Sequence, residues 1–396
     1  MQPYGRTKRI DLVYIYGSDW DTVSLRVDDL ARELSSRGFN TTIVCLSRAK
    51  LQRVGMRSRQ GRHRSVPRLV RIANQVAFLV QLVLKYWLER AEPKIIITID
   101  VPSGIGWIGW YAARVSRRRT SHVSWVMDLY RVTGAASLSV VDRIRASVEF
   151  AALKRCPETV TIGNCISSEI AVRTGRVPKV IEMWHEDINA SPEVVEETRF
   201  NLSPRGMPII LYSGNARAIH PLDAFVRSVR FITAGTVQLV VVGAGSSFES
   251  ARRISIDEDL QDIAFCDLVP YDELPALLLA ASVHVVALSE PATGSCVPSK
   301  VYAAMSAGKP CLFLGDRRSQ VSIDIQAAGC GFTVPTSEPA IVAREIQRMV
   351  ADTAGLQRMA AASMEFHTKF RNPGVQGARW ASYLASLQGR GMGGTG

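Results

Sequence analysis

What constrains this chain most is a recurring alternation: an apolar, β-branched run of strand length, a loop bearing Gly, Asp or Ser, then a segment with helical spacing. Ile10 to Tyr16 ends in Gly17-Ser18-Asp19; a helix from about Thr22 to Ser36 follows, is stopped by Gly38, and leads to a second strand, Thr41 to Leu46. Strand, loop, helix, strand in this order opens a doubly wound parallel sheet. Further strands are expected at Lys94 to Asp100, His122 to Met127, Thr159 to Ile162 and Lys179 to Met183. The second half repeats the scheme with strands near Ile209, Gln238, Ala264, Val283, Cys311 and Phe332. A chain of 396 residues can hold two such domains, each with its own core. The expected division is 1–195 and 205–370, with a polar, Pro-bounded linker from Pro192 to Pro208. A last helix over about 373–388 is expected against the first domain, and a tail from Gly389 without apolar content is expected to be disordered.

The net charge of +12 asks for an anionic partner. Its distribution narrows the choice. No acidic residue lies between Glu33 and Glu89, while nine cations crowd Arg48 to Arg71. The helix expected near Val66 to Leu88 is apolar nearly all round. An apolar helix beside a polybasic segment is the pattern of a protein lying on anionic lipid; a core helix beside a solvated loop is the plainer alternative. Trp107 and Trp110, followed by Arg117-Arg118-Arg119, fit the same two readings. Lipid, and not nucleic acid, is the expected partner. The longest apolar stretch, Val76 to Leu88, is shorter than the ~20 residues of a spanning helix. Seven cysteines without Cys-x-x-Cys or His/Cys spacing indicate neither a disulfide framework nor a zinc site and fit a reducing cytoplasm. The N-terminus lacks the apolar core of a signal peptide.

The chemistry is expected where three glycine loops, at Gly214, at Gly243 and Gly245, and at Gly294, follow strands of the second sheet. Each Gly alone is a turn requirement. Together they place close backbone approach on one sheet edge, the way an α/β sheet holds a phosphorylated ligand. The third loop runs Gly294-Ser295-Cys296-Val297-Pro298-Ser299 into a short helix that begins at Lys300 and stops before Gly308-Lys309-Pro310. Ser299 is expected to cap that helix with its hydroxyl, and Lys300 places a cation at an end where Lys is normally disfavoured. An anion explains it, and so does solvent. Arg217 is the second cation of the cradle. In the first half, Asp128 at the end of a strand can orient or deprotonate a hydroxyl, or simply cap the turn. Gly17, Asp19, Asp100 and Tyr130 are further candidates at neighbouring strand ends.

The runs Leu211-Tyr-Ser-Gly-Asn215, Val269-Pro-Tyr-Asp-Glu-Leu-Pro, Val283-His-Val-Val-Ala-Leu and Pro298-Ser-Lys-Val-Tyr302-Ala-Ala-Met-Ser-Ala-Gly-Lys-Pro resemble, in order, the donor domain of family 4 glycosyltransferases of the GT-B fold. In particular they look like the bacterial polysaccharide-assembly subgroup with a PSK-x-Y motif. Trp125-Val-Met-Asp128-Leu-Tyr130 and Trp184-His-Glu-Asp187 look like that subgroup's W-V-x-D-L-Y-P and N-W-x-D. The resemblance implies two Rossmann-like domains facing a cleft, and transfer of a sugar, with retention, from a nucleotide-sugar to a saccharide acceptor, lipid-linked and of polyprenyl-diphosphate type. It assigns Arg217 and Lys300 to catalysis with Asp128, and Gly214, Asn215, Gly243, Gly245, Val269, Gly294, Ser295, Pro298, Ser299 and Tyr302 to the donor. No metal or cofactor is implied. Three departures stand out. Ala303 occupies the place of a Glu that holds ribose in many members, Arg131 replaces the Pro after Tyr130, and Met183 replaces an Asn.

The expected protein is therefore a cytoplasmic-face glycosyltransferase, peripheral on the inner surface of the cell membrane. A GT-B sugar-nucleotide epimerase would not need the membrane-seeking first half, and a catalytically silent scaffold would explain the missing Glu.

Overall fold

The computed structural model describes residues 9–14, 20–45, 68–90, 94–99, 105–116, 120–129, 140–335 and 338–390. Contacts divide the chain into two units, Met1–Ile181 with Gly377–Gly396, and Glu182–Gln376.

The first unit is built on a six-stranded, all-parallel sheet of β1 (Arg9–Tyr14), β2 (Thr41–Cys45), β3 (Lys94–Ile99), β4 (Thr120–Val126), β5 (Glu158–Thr161) and β6 (Lys179–Val180) in the order β2-β1-β3-β4-β5-β6. β3 is buried along its whole length, as a strand covered on both faces must be. Helix α1 (Trp20–Ser36) joins β1 to β2, while α2 (Arg68–Leu88), α3 (Gly106–Val115), α4 (Val140–Arg155) and α5 (Asn164–Thr174) carry the chain the other way across the sheet. Right-handed crossovers put these four on one side, and they pack in sequence, α2 on α3, α3 on α4, α4 on α5. Phe78, Leu82 and Tyr86 of α2 fill the space above Val13 and Ile96 together with Ile105, Ile108 and Ala112. Gly109 lets α3 lie against β4, since a Cβ there would stand 2.1 Å from the His122 ring. The last helix, named α14 below, belongs largely to this unit. Trp380 of that helix meets Trp125 edge to face at 5.1 Å, and Tyr383 Oη donates to Glu158 Oε2 at 2.9 Å. It runs from Pro373 to Arg390, so Gly389 and Arg390 are helical and not part of a disordered tail; residues 391–396 lie outside the described residues.

The second unit repeats the plan with β7 (Ile209–Asn215), β8 (Gln238–Ala244), β9 (Ile263–Cys266), β10 (Val283–Ala287), β11 (Cys311–Leu314) and β12 (Gly331–Val334), parallel throughout in the order β12-β11-β10-β7-β8-β9. The chain runs outward from β7 to β9, then returns to β10 on the other side of β7. The switch point, where ligands of such sheets bind, is therefore the crevice between the ends of β7 and β10. The helices are α6 (Pro192–Leu202), α7 (Asp223–Ser228), α8 (Ser246–Asp257), α9 (Leu274–Ala280), α10 (Lys300–Ser306), α11 (Gln320–Ala328), α12 (Pro339–Ala351) and α13 (Thr353–Phe366), followed by α14 (Pro373–Arg390), which belongs to the first unit from Gly377 onward.

Two expectations are corrected. The segment 192–208 is not a linker for its whole length: α6 occupies most of it, capped by Ser191 Oγ accepting from Val194 N, with Pro at the first turn. It looked like linker because none of its side chains is buried. It is held on the second unit by Leu202, packed against the Ile209 and Leu277 cluster, and by Arg199 Nε donating to Ala280 O at 3.4 Å. Similarly, β6 keeps only two residues, and Met183 and Trp184 beyond it are buried in irregular chain.

Candidate donor site at the switch point of the second sheet

β7 and β8 end side by side, Gly214 opposite Gly243 and Asn215 opposite Ala244. Two of the glycines are needed for that closeness. A Cβ on Gly243 would meet Gly214 O at 2.5 Å, and one on Gly245, at φ +112°, would meet Ala216 O at 2.6 Å. The loop after β7 is pinned to this edge by Ala216 N donating to Ala244 O and Ser247 N donating to Ala216 O. Gly214 has a different task. Its φ is +105°, and a Cβ would stand 3.2 Å from Lys300 Cε, so the bare α-carbon is the channel through which the Lys300 stem passes.

Lys300, the first residue of α10, thereby reaches from the β10 side of the switch point to the β7 side. Its ammonium donates to Asn215 O at 2.7 Å and to Tyr212 Oη at 2.5 Å, and lies 4.0 Å from the centre of the Tyr212 ring. Desolvation lowers its pKa to about 7. Among the described residues the ammonium has no carboxylate partner. The N–H groups of Ser299 and Lys300 have no acceptor among the described residues, as expected of a first helical turn. The expected hydroxyl cap does not form. Ser299 is already helical, at φ −63° and ψ −15°, with no side-chain cap bond; its carbonyl accepts from Tyr302 N and Ala303 N instead.

The rest of the loop is compact. Gly294 adopts φ +85°, Pro298 is buried, and the buried Ser295 hydroxyl has no hydrogen-bond partner among the described residues, an unmet polar group of the sort that needs an explanation. Arg217 is exposed on the loop after β7. The same loop carries His220, whose Nδ1 pairs with Ala287 O at 2.8 Å while Ser289 N donates to Ile219 O. Burial, then the Lys300 charge, push His220 down to about 4, with Arg217 adding a smaller push, so it is neutral and Nδ1 is the donor. His220 and Tyr212 were not among the expected site residues. Their signal was weak: each sits a few residues from a glycine loop, and only the fold turns them inward.

Two expected donor residues prove to be committed elsewhere. Tyr302 is fully buried and its hydroxyl donates to Asp324 Oδ2 at 2.8 Å. Asp324 also accepts from Gln320 Nε2 and from Arg371 Nη2, each at 2.9 Å, and Arg371 stacks on Phe366. Tyr302 thus braces α10 from behind. Val269 packs, half-buried, against Ile209, Val240 and Leu277. Glu290 forms an exposed pair with Arg318 at 3.3 Å.

In the first unit, Asp128 follows β4 at its carboxyl end. Its side chain is solvent-exposed, so solvent screens the upward push that desolvation gives its pKa. The remaining candidates there, Gly17, Asp19, Asp100 and Tyr130, lie outside the described residues, as does the polybasic segment as far as Pro67. Among the described residues no three His, Cys, Asp or Glu come together as metal ligands, and no helix is long and apolar enough to cross a membrane.

Residues 207–352, all within the second unit, match the family described as Glycosyl transferases group 1. A probable glycosyltransferase of Pseudomonas aeruginosa, WbjE, is 23% identical over 171 residues, 43% of each chain. A putative colanic acid biosynthesis glycosyl transferase of Escherichia coli, WcaI, is 28% identical over 105 residues, 26% of each. The chain thus spans less than half the length of the curated relatives it matches. Among solved structures, Anabaena HepE in complex with UDP and glucose superposes with a TM-score of 0.71 at 14% identity, covering 96% of this chain and 100% of that one. The fold class is GT-B, two parallel-sheet Rossmann-like domains.

Proposed function

We propose that this chain is a glycosyltransferase that moves a sugar from a nucleotide-sugar donor to a saccharide acceptor in the synthesis of cell-surface polysaccharide or glycoconjugate. The observation that carries the reading is Lys300, stretched across the switch point onto Asn215 and Tyr212, inside the stretch that matches Glycosyl transferases group 1. UDP in the HepE complex supports a nucleotide-sugar as the donor class, and the name of WcaI supports the biosynthetic setting.

In this mechanism the donor diphosphate lies over α10. Breaking the bond from the anomeric carbon to the diphosphate oxygen leaves charge on the diphosphate, so groups that meet that charge accelerate the step. Lys300, Arg217 and the N–H groups at Ser299 and Lys300 are those groups. Asp128, exposed at the carboxyl end of β4, orients the acceptor hydroxyl and takes its proton. Tyr302, Asp324 and Arg371 hold α10 in register. The subgroup marked by PSK-x-Y, retention of anomeric configuration, a polyprenyl-diphosphate-linked acceptor and a peripheral position on the inner face of the cell membrane complete the reading. The epimerase alternative is not favoured, because the matched family and the relatives are named as transferases.

The test is nucleoside diphosphate release from a panel of nucleotide-sugars, with and without a membrane extract. Release that depends on the extract is expected. Interconversion of the sugar-nucleotide without extract, or no thermal stabilisation by any nucleoside diphosphate, overturns the proposal.

A further inference from the structure

We infer that the outer face of α2, α3 and α4 is a preformed docking surface for an anionic lipid bilayer. Such a surface deepens the peripheral-membrane part of the function proposed above and rests on it, but needs nothing of the transfer chemistry.

These helices are apolar on two sides. The inner side is accounted for: Phe78, Leu82 and Tyr86 of α2, Ile108 and Ala112 of α3, and Ala146, Phe150 and Leu153 of α4 are buried. The outer side is not. On α2, Val76, Val80 and Leu84 recur every four residues with 53%, 53% and 56% of their surface exposed, and Trp87 and Leu88 extend the row. On α4, Val140, Ile144 and Val148 repeat the spacing, exposed at 66%, 56% and 39%. Four-residue spacing lines one face of a helix, so each row is a stripe and not scattered surface. Because α3 packs against both neighbours, the stripes flank a common surface. Between them Trp107 and Trp110 meet edge to face at 5.7 Å. An open groove of about 500 Å³ lies between Trp107 and the α4 residues Val140, Arg143, Ile144 and Val148. Water against this much apolar surface is costly, and contiguous patches of this kind mark an interaction site.

Charge selects the occupant. Each tryptophan is paired with an arginine: Arg90 over Trp87 at 4.6 Å, Arg155 over Trp107 at 5.1 Å, Arg114 over Trp110 at 6.0 Å. Arg143, Arg145 and Lys154 add exposed positive charge along α4. The sequences of the three helices hold two acids, Asp142 and Glu149, and Glu149 is buried. An apolar centre, indole rings and a cationic rim match acyl chains, headgroup level and anionic phosphate in that order. A second copy of this chain would bring one arginine rim against another, which like-charge repulsion opposes.

The experiment is co-sedimentation of the full chain with vesicles of phosphatidylcholine alone or with anionic phosphatidylglycerol, alongside sedimentation velocity without lipid. Wild type is expected on the anionic vesicles and not on the neutral ones. The pair Ile144→Asp with Val148→Asp, and separately Val80→Asp with Leu84→Asp, should each lower vesicle partition about tenfold or more, while UDP binding stays at the wild-type level and reports that the chain is folded. A surface-charge variant, Lys154→Glu, should weaken binding to the anionic vesicles without changing the apolar stripes. Wild type that ignores anionic vesicles or binds neutral ones equally overturns the inference, and so does wild-type partition in both doubly substituted variants. So does a concentration-dependent dimer that Ile144→Asp abolishes, since the face would then be covered by a second copy. UDP binding lost in wild type with vesicle binding intact would count against the donor site alone.

Discussion

Lys300→Ala should lower affinity for a nucleoside diphosphate by about ten- to a hundredfold, the worth of one charge-assisted hydrogen bond. It should lower kcat by about 10²–10³-fold, because the ammonium meets a charge that is larger in the transition state than in the bound donor. Folding should survive the change. Among the described residues the ammonium donates to Asn215 O and the Tyr212 hydroxyl and lies over the Tyr212 ring, and Tyr212 Oη keeps its own bond to Asn215 O at 3.1 Å. Lys300→Arg is not a conservative control: the channel past Gly214 is so narrow that a Cβ on that glycine would stand only 3.2 Å from Lys300 Cε, and a planar guanidinium needs more room than a methylene stem. An intermediate loss is expected. The checks are the dissociation constant for UDP and kcat against KM for donor turnover; a dissociation constant equal to the wild type's would remove Lys300 from the donor site.

The largest expected effect on stability lies behind the site. Asp324→Ala should destabilise the second unit by about 3–5 kcal/mol, the cost of breaking a buried ion pair from one side. Asp324 and Arg371 are 4% and 5% exposed, and without the carboxylate the guanidinium keeps no acid nearer than Glu182 at 3.9 Å among the described residues, besides its bond to Phe370 O at 3.2 Å and its stacking on Phe366. The Tyr302 hydroxyl would lose its acceptor too. Asp324→Asn retains an acceptor and the shape, so its loss should be smaller. Urea unfolding followed by tryptophan fluorescence measures both; a loss below about 1 kcal/mol for the alanine variant would mean that the pair braces nothing. Where the Asn variant folds, weakened UDP binding is the readout that separates a role in holding α10 from a purely global one.

The strands could be read from the chain because buried parallel strands leave continuous apolar runs: Lys94-Ile-Ile-Ile-Thr-Ile99 needs no partner to be recognised. The glycines at 214, 243 and 245 were visible for the same local reason, since each marks a backbone that cannot carry a Cβ. What stayed hidden depends on distance along the chain. Asp324 and Arg371 are 47 positions apart, and nothing local to Tyr302 shows that its hydroxyl turns inward to a carboxylate instead of outward to a ligand. α6 reads as linker because it offers the Arg199 donor to Ala280 O and no buried stripe. Ser299 illustrates the opposite error: the residue type of a cap was present, but a backbone already helical takes its hydroxyl out of reach of the N–H it would accept from.

The central claim, that Lys300 is the cation of a diphosphate site, also has a signature in protons. Burial lowers the pKa of Lys300 to about 7, so it sheds its proton as pH rises through neutrality, and a bound diphosphate raises that pKa again. Above pH 7 binding must therefore take up a proton, and affinity must fall as pH rises. The diphosphate itself is fully ionised there, its last pKa being about 6. Calorimetric titration of UDP at pH 8 in two buffers of different ionisation enthalpy counts the protons. About one proton taken up per UDP by the wild type, and none by Lys300→Ala, is the predicted result. Binding without proton uptake in the wild type, or the same uptake in Lys300→Ala, would contradict it.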